Sequence, residues 1–246
     1  MAKFAVVLAA AGKSSRFRDK HYKKPFAPLK DRAVWLHCAD KFLNRDDVVQ
    51  VLIVIAPEDR ERFMDSFGAN VAILGIDVVE GGAERSDSIA NALERVNDEV
   101  DYIAVHDAAR PCLANEWIDS VFLKAATTGA AMLAIPITGT VKRVGEKGVI
   151  QETVPRDNLW EAQTPQVFRK GILLKAYAQR GNQPATDDAE LVQRIGQPVT
   201  VVTGSPINLK ITTKEDLRLA ANALNALPKP KLPGATHPFA DDDLWR

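Results

Sequence analysis

Short apolar runs alternate with amphipathic segments along most of the chain. The apolar runs predict strands at 4–9, 49–56, 76–80, 102–106, 131–136 and 199–202. Between them, apolar residues spaced three and four apart predict helices at 34–43, 58–67, 86–96, 115–127 and 170–179. This alternation predicts an α/β fold in which a mostly parallel sheet is covered by helices on both faces. We find no internal repeat.

Two helix starts carry local signals. Pro57 is followed by Glu58 and Asp59, and the first turn of a helix tolerates proline and favours acidic side chains. Thr212 with Glu215 predicts a capping box that opens the last helix.

One segment interrupts the alternation and predicts a β-hairpin. Residues 141–144 and 149–154 have strand character and flank a turn that contains Gly145 and Gly148. Because an isolated two-stranded hairpin is only marginally stable in water, this arm, at about 138–158, must pack on another surface. That surface is either its own domain or a second subunit, and the pattern alone leaves both open.

Composition excludes several classes of protein. The 246 residues include 32 basic and 32 acidic side chains, so no net charge attracts nucleic acid or a membrane surface. No apolar run approaches membrane-spanning length, and the N-terminal segment lacks a secretory signal. Cys38 and Cys112 lack disulfide-framework or metal-ligand spacing, and we expect Cys38 to be a buried apolar residue. These features predict a cytoplasmic protein.

The last residues differ from the rest of the chain. Residues 228–246 hold several prolines and the acidic run 241–243, without helical periodicity. We expect a single domain over 1–227, followed by a mobile tail in which Trp245 is a candidate anchor.

The first strand opens into a loop suited to a polyanion. After Ala9 the chain continues through small residues to Gly12, and Arg16 and Lys24 follow. Small side chains let backbone N–H groups approach an anion, and two cations nearby suit a nucleoside triphosphate. A plain strand-to-helix turn is the alternative. A Walker A motif is excluded because Val7 occupies its first glycine position, and the three-glycine dinucleotide motif is also absent.

Other strand ends carry further candidates. Asp107 follows a predicted strand and is suited to hold Mg²⁺ or a ribose hydroxyl, while Arg110 is suited to a phosphate, unless the two form a purely structural pair. Gly81 and Gly82 precede a helix that contains Ser88, so this loop either contacts a base or is simply an N-capped helix start.

Lys210 and Arg156 are isolated cations, and the histidines offer little chemistry. Lys210 lies in a predicted short apolar strand, where it either meets an anion or occupies a solvated edge. Arg156 follows the hairpin and should be exposed. His37 is expected to be at most partly buried, and His21 and His237 to lie in loops. No histidine has a partner spacing for metal or triad chemistry.

Taken in order, these motifs resemble those of a known family. The motifs are LAAAG at 8–12 with Arg16 and Lys24, GGAERSDS at 81–88, HDAARP at 106–111, PR at 155–156, QTPQ at 163–166, TDDA at 186–189 and NLKIT at 208–212. Each motif is weak alone, but the ordered set over about 3–225 closely resembles the 2-C-methyl-D-erythritol 4-phosphate cytidylyltransferase family of the non-mevalonate isoprenoid pathway.

The resemblance implies a three-layer Rossmann-like nucleotidyltransferase fold with an inserted dimerisation hairpin. It implies a homodimer that transfers CMP from CTP to 2-C-methyl-D-erythritol 4-phosphate with Mg²⁺ and releases pyrophosphate. The catalytic residues it implies are Arg16, Lys24, Arg156 and Lys210. CTP is expected to meet Ala10, Ala11, Gly12, Gly82, Ala83, Ser88, Asp107 and Ala108, with Asp107 near the metal. The sugar phosphate is expected to meet Asp107, Arg110, Thr140, Arg156, Thr164, Thr186 and Lys210, with Thr140 and Arg156 reaching the partner's site.

The residue types suit this chemistry, because an anionic phosphate nucleophile needs no general base and two anions must be brought together by cations.

Two details of the loop after the first strand stay open. Residues 13–15 read Lys-Ser-Ser where a second glycine is common in the family, and Lys23 is an alternative to Lys24 as the loop lysine. A ribitol 5-phosphate cytidylyltransferase is the nearest alternative function, and a catalytically silent nucleotide-binding module is another.

Overall fold

A computed structural model describes residues 1–12, 14, 16, 17, 19, 22–181 and 183–228. The strands are β1 Phe4–Ala9, β2 Pro28–Leu29, β3 Arg32–Ala33, β4 Val48–Ile55, β5 Asp77–Glu80, β6 Tyr102–Asp107, β7 Ala130–Pro136, β8 Val141–Val144, β9 Ile150–Val154, β10 Trp160–Arg169 and β11 Thr200–Thr203. The α-helices are α1 Val34–Leu43, α2 Arg60–Leu74, α3 Arg85–Leu93, α4 Asn115–Thr128, α5 Lys170–Ala178, α6 Asp188–Arg194 and α7 Lys214–Ala223. Short 3₁₀ helices span Lys24–Phe26, Pro57–Asp59 and Leu224–Ala226.

A seven-stranded sheet in the order β11-β7-β10-β6-β1-β4-β5 forms the centre of the described part of the chain. β10 runs antiparallel to both of its neighbours, and the remaining pairs are parallel. Successive β1 side chains enter opposite layers: Val6 packs in one cluster with Trp35, and Val7 packs in another with Ile89. Burial on both faces explains why β1 is a continuous apolar run, and the predicted three-layer α/β fold is confirmed.

The predicted strands and helices are present, although α2 continues to Leu74 beyond its predicted end at 67. The two-residue strands β2 and β3 and two longer elements, β10 and α6, were missed. β10 contains Pro165 and several polar residues, which hid its strand character, and its pairing with β7 shifts register between Ala162 and Gln166. Helix α6 is only seven residues long, too short for a clear helical period. β10 contains the motif at 163–166 and α6 begins within the motif at 186–189, and the resemblance assigned both motifs to substrate binding.

Two local predictions were wrong. The capping box of α7 is formed by Thr213 and Asp216 rather than by Thr212 and Glu215, although the Thr212 hydroxyl also donates to Asp216. Lys210 lies in an irregular segment between β11 and α7 rather than in a strand, because this segment packs its apolar side chains, including Ile211, into a separate small cluster.

The predicted hairpin is confirmed as β8 and β9, which pair with each other and not with the central sheet. It projects from the end of the β7–β10 pair, where the Ile137 N–H donates to the Leu159 carbonyl. Three large apolar side chains on this arm are solvent-exposed: Val144 at 52%, Val149 at 66% and Ile150 at 59%. The arm therefore presents an apolar surface that the described part of its own chain leaves uncovered.

Some sequence predictions fall outside the described residues. The tail from 229 onward with Trp245 and His237, together with Lys13, Ser15 and His21, belongs to this group. Within the described part, Cys38 is buried as expected, and His37 is half-buried with its Nε2 2.9 Å from the Leu29 carbonyl oxygen. No helix there is both long and apolar enough to span a bilayer.

Candidate active site

A pocket of about 610 Å³ lies at the carboxyl ends of β1, β4 and β6. This is where an open α/β sheet is expected to bind its ligand. The residues predicted from sequence that line it are Ala10, Ala11, Gly12, Lys24, Gly82, Ala83, Ser88, Asp107 and Lys210. Positions up to 200 residues apart in the chain therefore line one cleft.

The loop after β1 is hydrogen-bonded to β4 and to the Lys24 segment. The Ala10 N–H donates to the Val54 carbonyl, which keeps the loop in line with β4. The Ser14 hydroxyl oxygen accepts from the Lys24 N–H at 3.3 Å, which links the loop to the start of the 3₁₀ helix Lys24–Phe26. Arg16 is exposed and does not line the pocket, but it is close enough to act electrostatically on Lys24.

Lys24, not Lys23, faces the pocket. Burial lowers the pKa of Lys24, and the cations Lys210, Arg16 and Arg110 lower it further, while Asp107 opposes them. The Lys23 ammonium instead lies 2.6 Å from Asp59 and 3.1 Å from Glu58, beside a separate cavity. The two adjacent lysines thus have opposite environments, and of the two only Lys24 lines this pocket, while its catalytic role stays a prediction.

Asp107 is the anionic centre of the site. Its Oδ2 lies 2.8 Å from Lys210 Nζ and 3.4 Å from Arg110 Nε. Burial alone would raise the pKa of this carboxyl, but Lys210, Arg85 and Arg110 hold it well below its usual range. Asp107 is therefore an ionised carboxylate at the carboxyl end of β6, as a metal ligand requires.

Arg110 is buried and its guanidinium is held within the protein. Besides Asp107, it donates to the carbonyl of Asn208 at 2.8 Å and of Ala162 at 3.3 Å. The structural Asp–Arg pair considered from the sequence is therefore present. Arg110 holds the Lys210 segment against the end of β6, and its direct contact with substrate phosphate stays a prediction.

The glycine loop before α3 packs too tightly for side chains. A Cβ on Gly81 would lie 2.7 Å from the Ala11 Cβ, and one on Gly82 would lie 2.4 Å from the Asp87 Cβ. The Gly82 N–H donates to the Ser88 hydroxyl oxygen at 3.1 Å. Glu84 and Asp87 form a capping box, so the N-capped helix start is also present. The exposed Gly82 and Ala83 backbone remains the expected surface for the base.

Several predicted residues lie outside the pocket lining. Thr140 and Arg156 are exposed on the arm segment, with Arg156 donating to the Thr138 carbonyl. Thr186 is exposed two residues before α6 and donates to Glu190. Thr164 and Ala108 are buried behind the end of β6. The described chain alone does not bring Thr140, Arg156 or Thr186 to the pocket wall.

Sequence reasoning missed Arg85 and Glu58, which both line the pocket. Arg85 Nη2 lies 2.7 Å from Oδ2 of Asp188, a fully buried carboxylate that also accepts from the Tyr177 hydroxyl. Although burial opposes it, Asp188 raises the pKa of Arg85. The only local signal for this pair was the presence of Arg85 and Asp188 within two of the recognised motifs.

This chain is similar in sequence to proteins of known family. The family described as 2-C-methyl-D-erythritol 4-phosphate cytidylyltransferase matches residues 4–226. The chain belongs to this family. The predicted resemblance is confirmed, and the chain is a cytidylyltransferase, a nucleotidyltransferase enzyme.

Individual relatives agree with the family match. The enzyme of that name from Rhodopirellula baltica is 43% identical over 235 residues, covering 91% of this chain and 96% of the relative. The one from Pelotomaculum thermopropionicum is 38% identical over 229 residues, covering 92% and 96%. The crystal structure of the Thermus thermophilus cytidylyltransferase is 31% identical with a TM-score of 0.72, covering 92% of this chain and 100% of that one. The nucleotidyltransferase fold is thus shared over the length of the domain.

Proposed function

We propose that this cytidylyltransferase joins CTP and 2-C-methyl-D-erythritol 4-phosphate in the pocket at the ends of β1, β4 and β6. A phosphate oxygen of the sugar attacks the α-phosphorus of CTP. The new P–O bond forms as the bond from the α-phosphorus to the bridging oxygen breaks, and pyrophosphate leaves with that electron pair. The observation that carries the proposal is the convergence of Lys24, Lys210 and Asp107 on one cleft.

The main barrier in this reaction is the approach of two anions, and the residues of the pocket suit that task. The nucleophile is already ionised, so no side chain has to remove a proton. Lys24 with Arg16 and the backbone of Ala10, Ala11 and Gly12 would hold the triphosphate and stabilise charge at the α-phosphate. Lys210, beside Asp107, would align the attacking phosphate. Gly82, Ala83, Ser88 and Ala108 belong to the loops that would hold the cytidine.

Mg²⁺ is part of the proposal, with Asp107 as its protein ligand. Among the described residues there is no group of three or more His, Cys, Asp or Glu that could hold a metal by itself. Mg²⁺ commonly binds through one or two carboxylates plus substrate phosphates and waters, so the single ionised Asp107 fits a metal that arrives with CTP. Bound there, the metal would neutralise charge on the phosphate oxygens.

The sugar-phosphate side of the pocket would be completed by a second copy of the chain. Thr140 and Arg156 are exposed on the arm segment, and the arm also exposes Val144, Val149 and Ile150. A homodimer would cover this apolar surface and bring Thr140 and Arg156 to the partner's pocket, and the segments that carry Arg110, Thr164 and Thr186 would complete the substrate side. The proposal also includes a cytoplasmic location, because the thiols of Cys38 and Cys112 are unpaired and a reducing compartment keeps thiols in that form.

The arm gives a direct test of the dimer. The double substitution Val144→Lys and Ile150→Lys places two charges in the surface that the homodimer would bury, so we expect it to convert dimer to monomer in sedimentation velocity and to lower activity. Ile73→Lys in α2 changes an isoleucine that is 84% exposed outside the arm and should leave the dimer intact. A dimer that survives both charges would show that the arm is not the interface.

The substrates can be tested directly. Purified chain with CTP and Mg²⁺ should release pyrophosphate when 2-C-methyl-D-erythritol 4-phosphate is added, and much more slowly with ribitol 5-phosphate. Faster turnover of ribitol 5-phosphate would replace the proposed substrate. CTP binding in calorimetry without pyrophosphate release from either sugar would instead indicate a catalytically silent nucleotide-binding protein.

A further inference from the structure

A buried hydrogen-bond chain lies directly behind Asp107, and it involves a histidine that the proposed reaction does not use. The His106 ring is fully buried, with Nε2 3.1 Å from the Arg110 carbonyl oxygen and Nδ1 3.1 Å from Thr164 Oγ1. The same Thr164 oxygen lies 3.0 Å from the backbone nitrogen of Asp107. Phe42 packs against the ring edge, with centroids 5.4 Å apart.

The partners fix the direction of each hydrogen bond. A carbonyl oxygen can only accept, so His106 Nε2 carries the proton and donates to Arg110. In the neutral ring Nδ1 then has a free lone pair, so the Thr164 hydroxyl donates to it. The Thr164 oxygen in turn accepts from the Asp107 N–H. The three donors, the Asp107 N–H, the Thr164 hydroxyl and the His106 Nε2–H, therefore each have an acceptor.

We propose that His106 and Thr164 are positioning residues that orient Asp107 toward Lys210 and the substrates. Below, the relay means the series of hydrogen bonds that runs from the Asp107 N–H through Thr164 and His106 to the Arg110 carbonyl. It ties the end of β6 to the loop after it and to β10, and the Asn208 side chain, which donates to the Thr164 carbonyl at 2.9 Å, extends it toward the Lys210 segment. The hydrogen bond from the Asp107 N–H to Thr164 fixes the orientation of the Asp107 backbone, which keeps the Asp107 carboxylate 2.8 Å from Lys210 Nζ.

This inference assigns Thr164 a different task from the substrate contact suggested by the family resemblance. The Thr164 hydroxyl is buried and does not line the pocket; its proton goes to His106 and it accepts from the Asp107 backbone. Its effect on catalysis would therefore pass through Asp107. The inference rests on the proposed role of Asp107, and the experiment separates the two.

Thr164→Val removes the hydroxyl at nearly constant volume. We expect kcat to fall about 10- to 100-fold, the range typical of residues that orient a metal-binding side chain through hydrogen bonds. We expect KM for the sugar phosphate to change much less. Thr164→Ser keeps the hydroxyl and should recover most of the rate. Thr127→Val, which removes an exposed hydroxyl bonded to the Leu123 carbonyl in α4, is the matched control. Thr164→Cys, with a weaker donor and acceptor, replaces the valine variant if that variant does not fold.

A double-mutant cycle with Asp107→Asn decides the mechanism. If Thr164 acts through the Asp107 carboxylate, adding Thr164→Val to Asp107→Asn should cost less than about threefold further. A full, multiplicative loss in the double variant, or a Thr164→Val effect confined to KM for the sugar phosphate, would overturn the relay. A Thr164→Val loss explained entirely by a lower folded fraction in thermal melting would also overturn it. Full activity of Asp107→Asn would instead refute the proposed role of Asp107.

Discussion

Lys24→Ala should lower kcat for cytidylyl transfer by about 10²-fold or more, the largest single-residue effect we expect. Lys24 is held in the pocket wall among Lys210, Arg16 and Arg110, and burial lowers its pKa. A cation kept partly dehydrated beside other cations stabilises a developing negative charge more strongly than one in water. Single-turnover measurement of CTP consumption would isolate this chemical step from product release.

Lys23→Ala is the matched control for this prediction. The two lysines are adjacent and chemically identical, but the Lys23 ammonium is paired with Glu58 and Asp59 and does not line the pocket. We expect Lys23→Ala to keep kcat within about threefold of the original protein, since partly exposed ion pairs contribute little. Equal losses in the two variants, or a larger loss for Lys23→Ala, would remove Lys24 from its role at the α-phosphate.

Lys210→Ala should cost about 10²-fold in kcat/KM for the sugar phosphate, the second-largest expected effect. Removing its ammonium takes away the attractive partner that would align the attacking phosphate. It also leaves Asp107 without a contact of 2.8 Å, so the carboxylate would repel the incoming anion. Steady-state kinetics with each substrate varied in turn would measure the effect.

A remote lysine controls for the loss of one positive charge in the Lys210 experiment. Lys124 is exposed in α4 and does not line the pocket, so Lys124→Ala should leave both kinetic constants nearly unchanged. A loss in Lys210→Ala that appears only in KM for CTP would move Lys210 from the sugar-phosphate side to the nucleotide side. Normal turnover would exclude it from the reaction.

The order of strands and helices followed from local pattern wherever that pattern was long and regular. β1 and α1 have the predicted bounds because a charge-free apolar run and a ten-residue amphipathic stretch each have one favourable way to bury their side chains. β10 was missed because its polar side chains are satisfied across the molecule: Gln163 donates to the Ser205 carbonyl and Gln166 to Asp187. Without those partners, a polar segment that contains a proline resembles a loop.

The pocket was predictable in its parts but not in its arrangement. The motif residues Gly12, Gly82, Asp107 and Lys210 do line one cleft, as expected from the positions of strand ends in α/β sheets. The ion pair between Arg85 and Asp188 spans 103 positions of sequence, and no local pattern identifies such a partner. The same holds for the relay, which joins residues on two strands that are not consecutive along the chain.

The amino-acid sequence by itself determined the fold class, the family and the chemical types gathered at the strand ends, because apolar periodicity and short motifs are properties of neighbouring residues. Only the tertiary structure decided which of two adjacent lysines faces the pocket, that Arg110 is enclosed by Asp107 and two carbonyls, and that Thr164 lies behind the site. The direction in which a side chain points, its burial and the charges around it depend on segments that are distant in sequence and packed together. Those properties, more than residue type, set what each side chain can do.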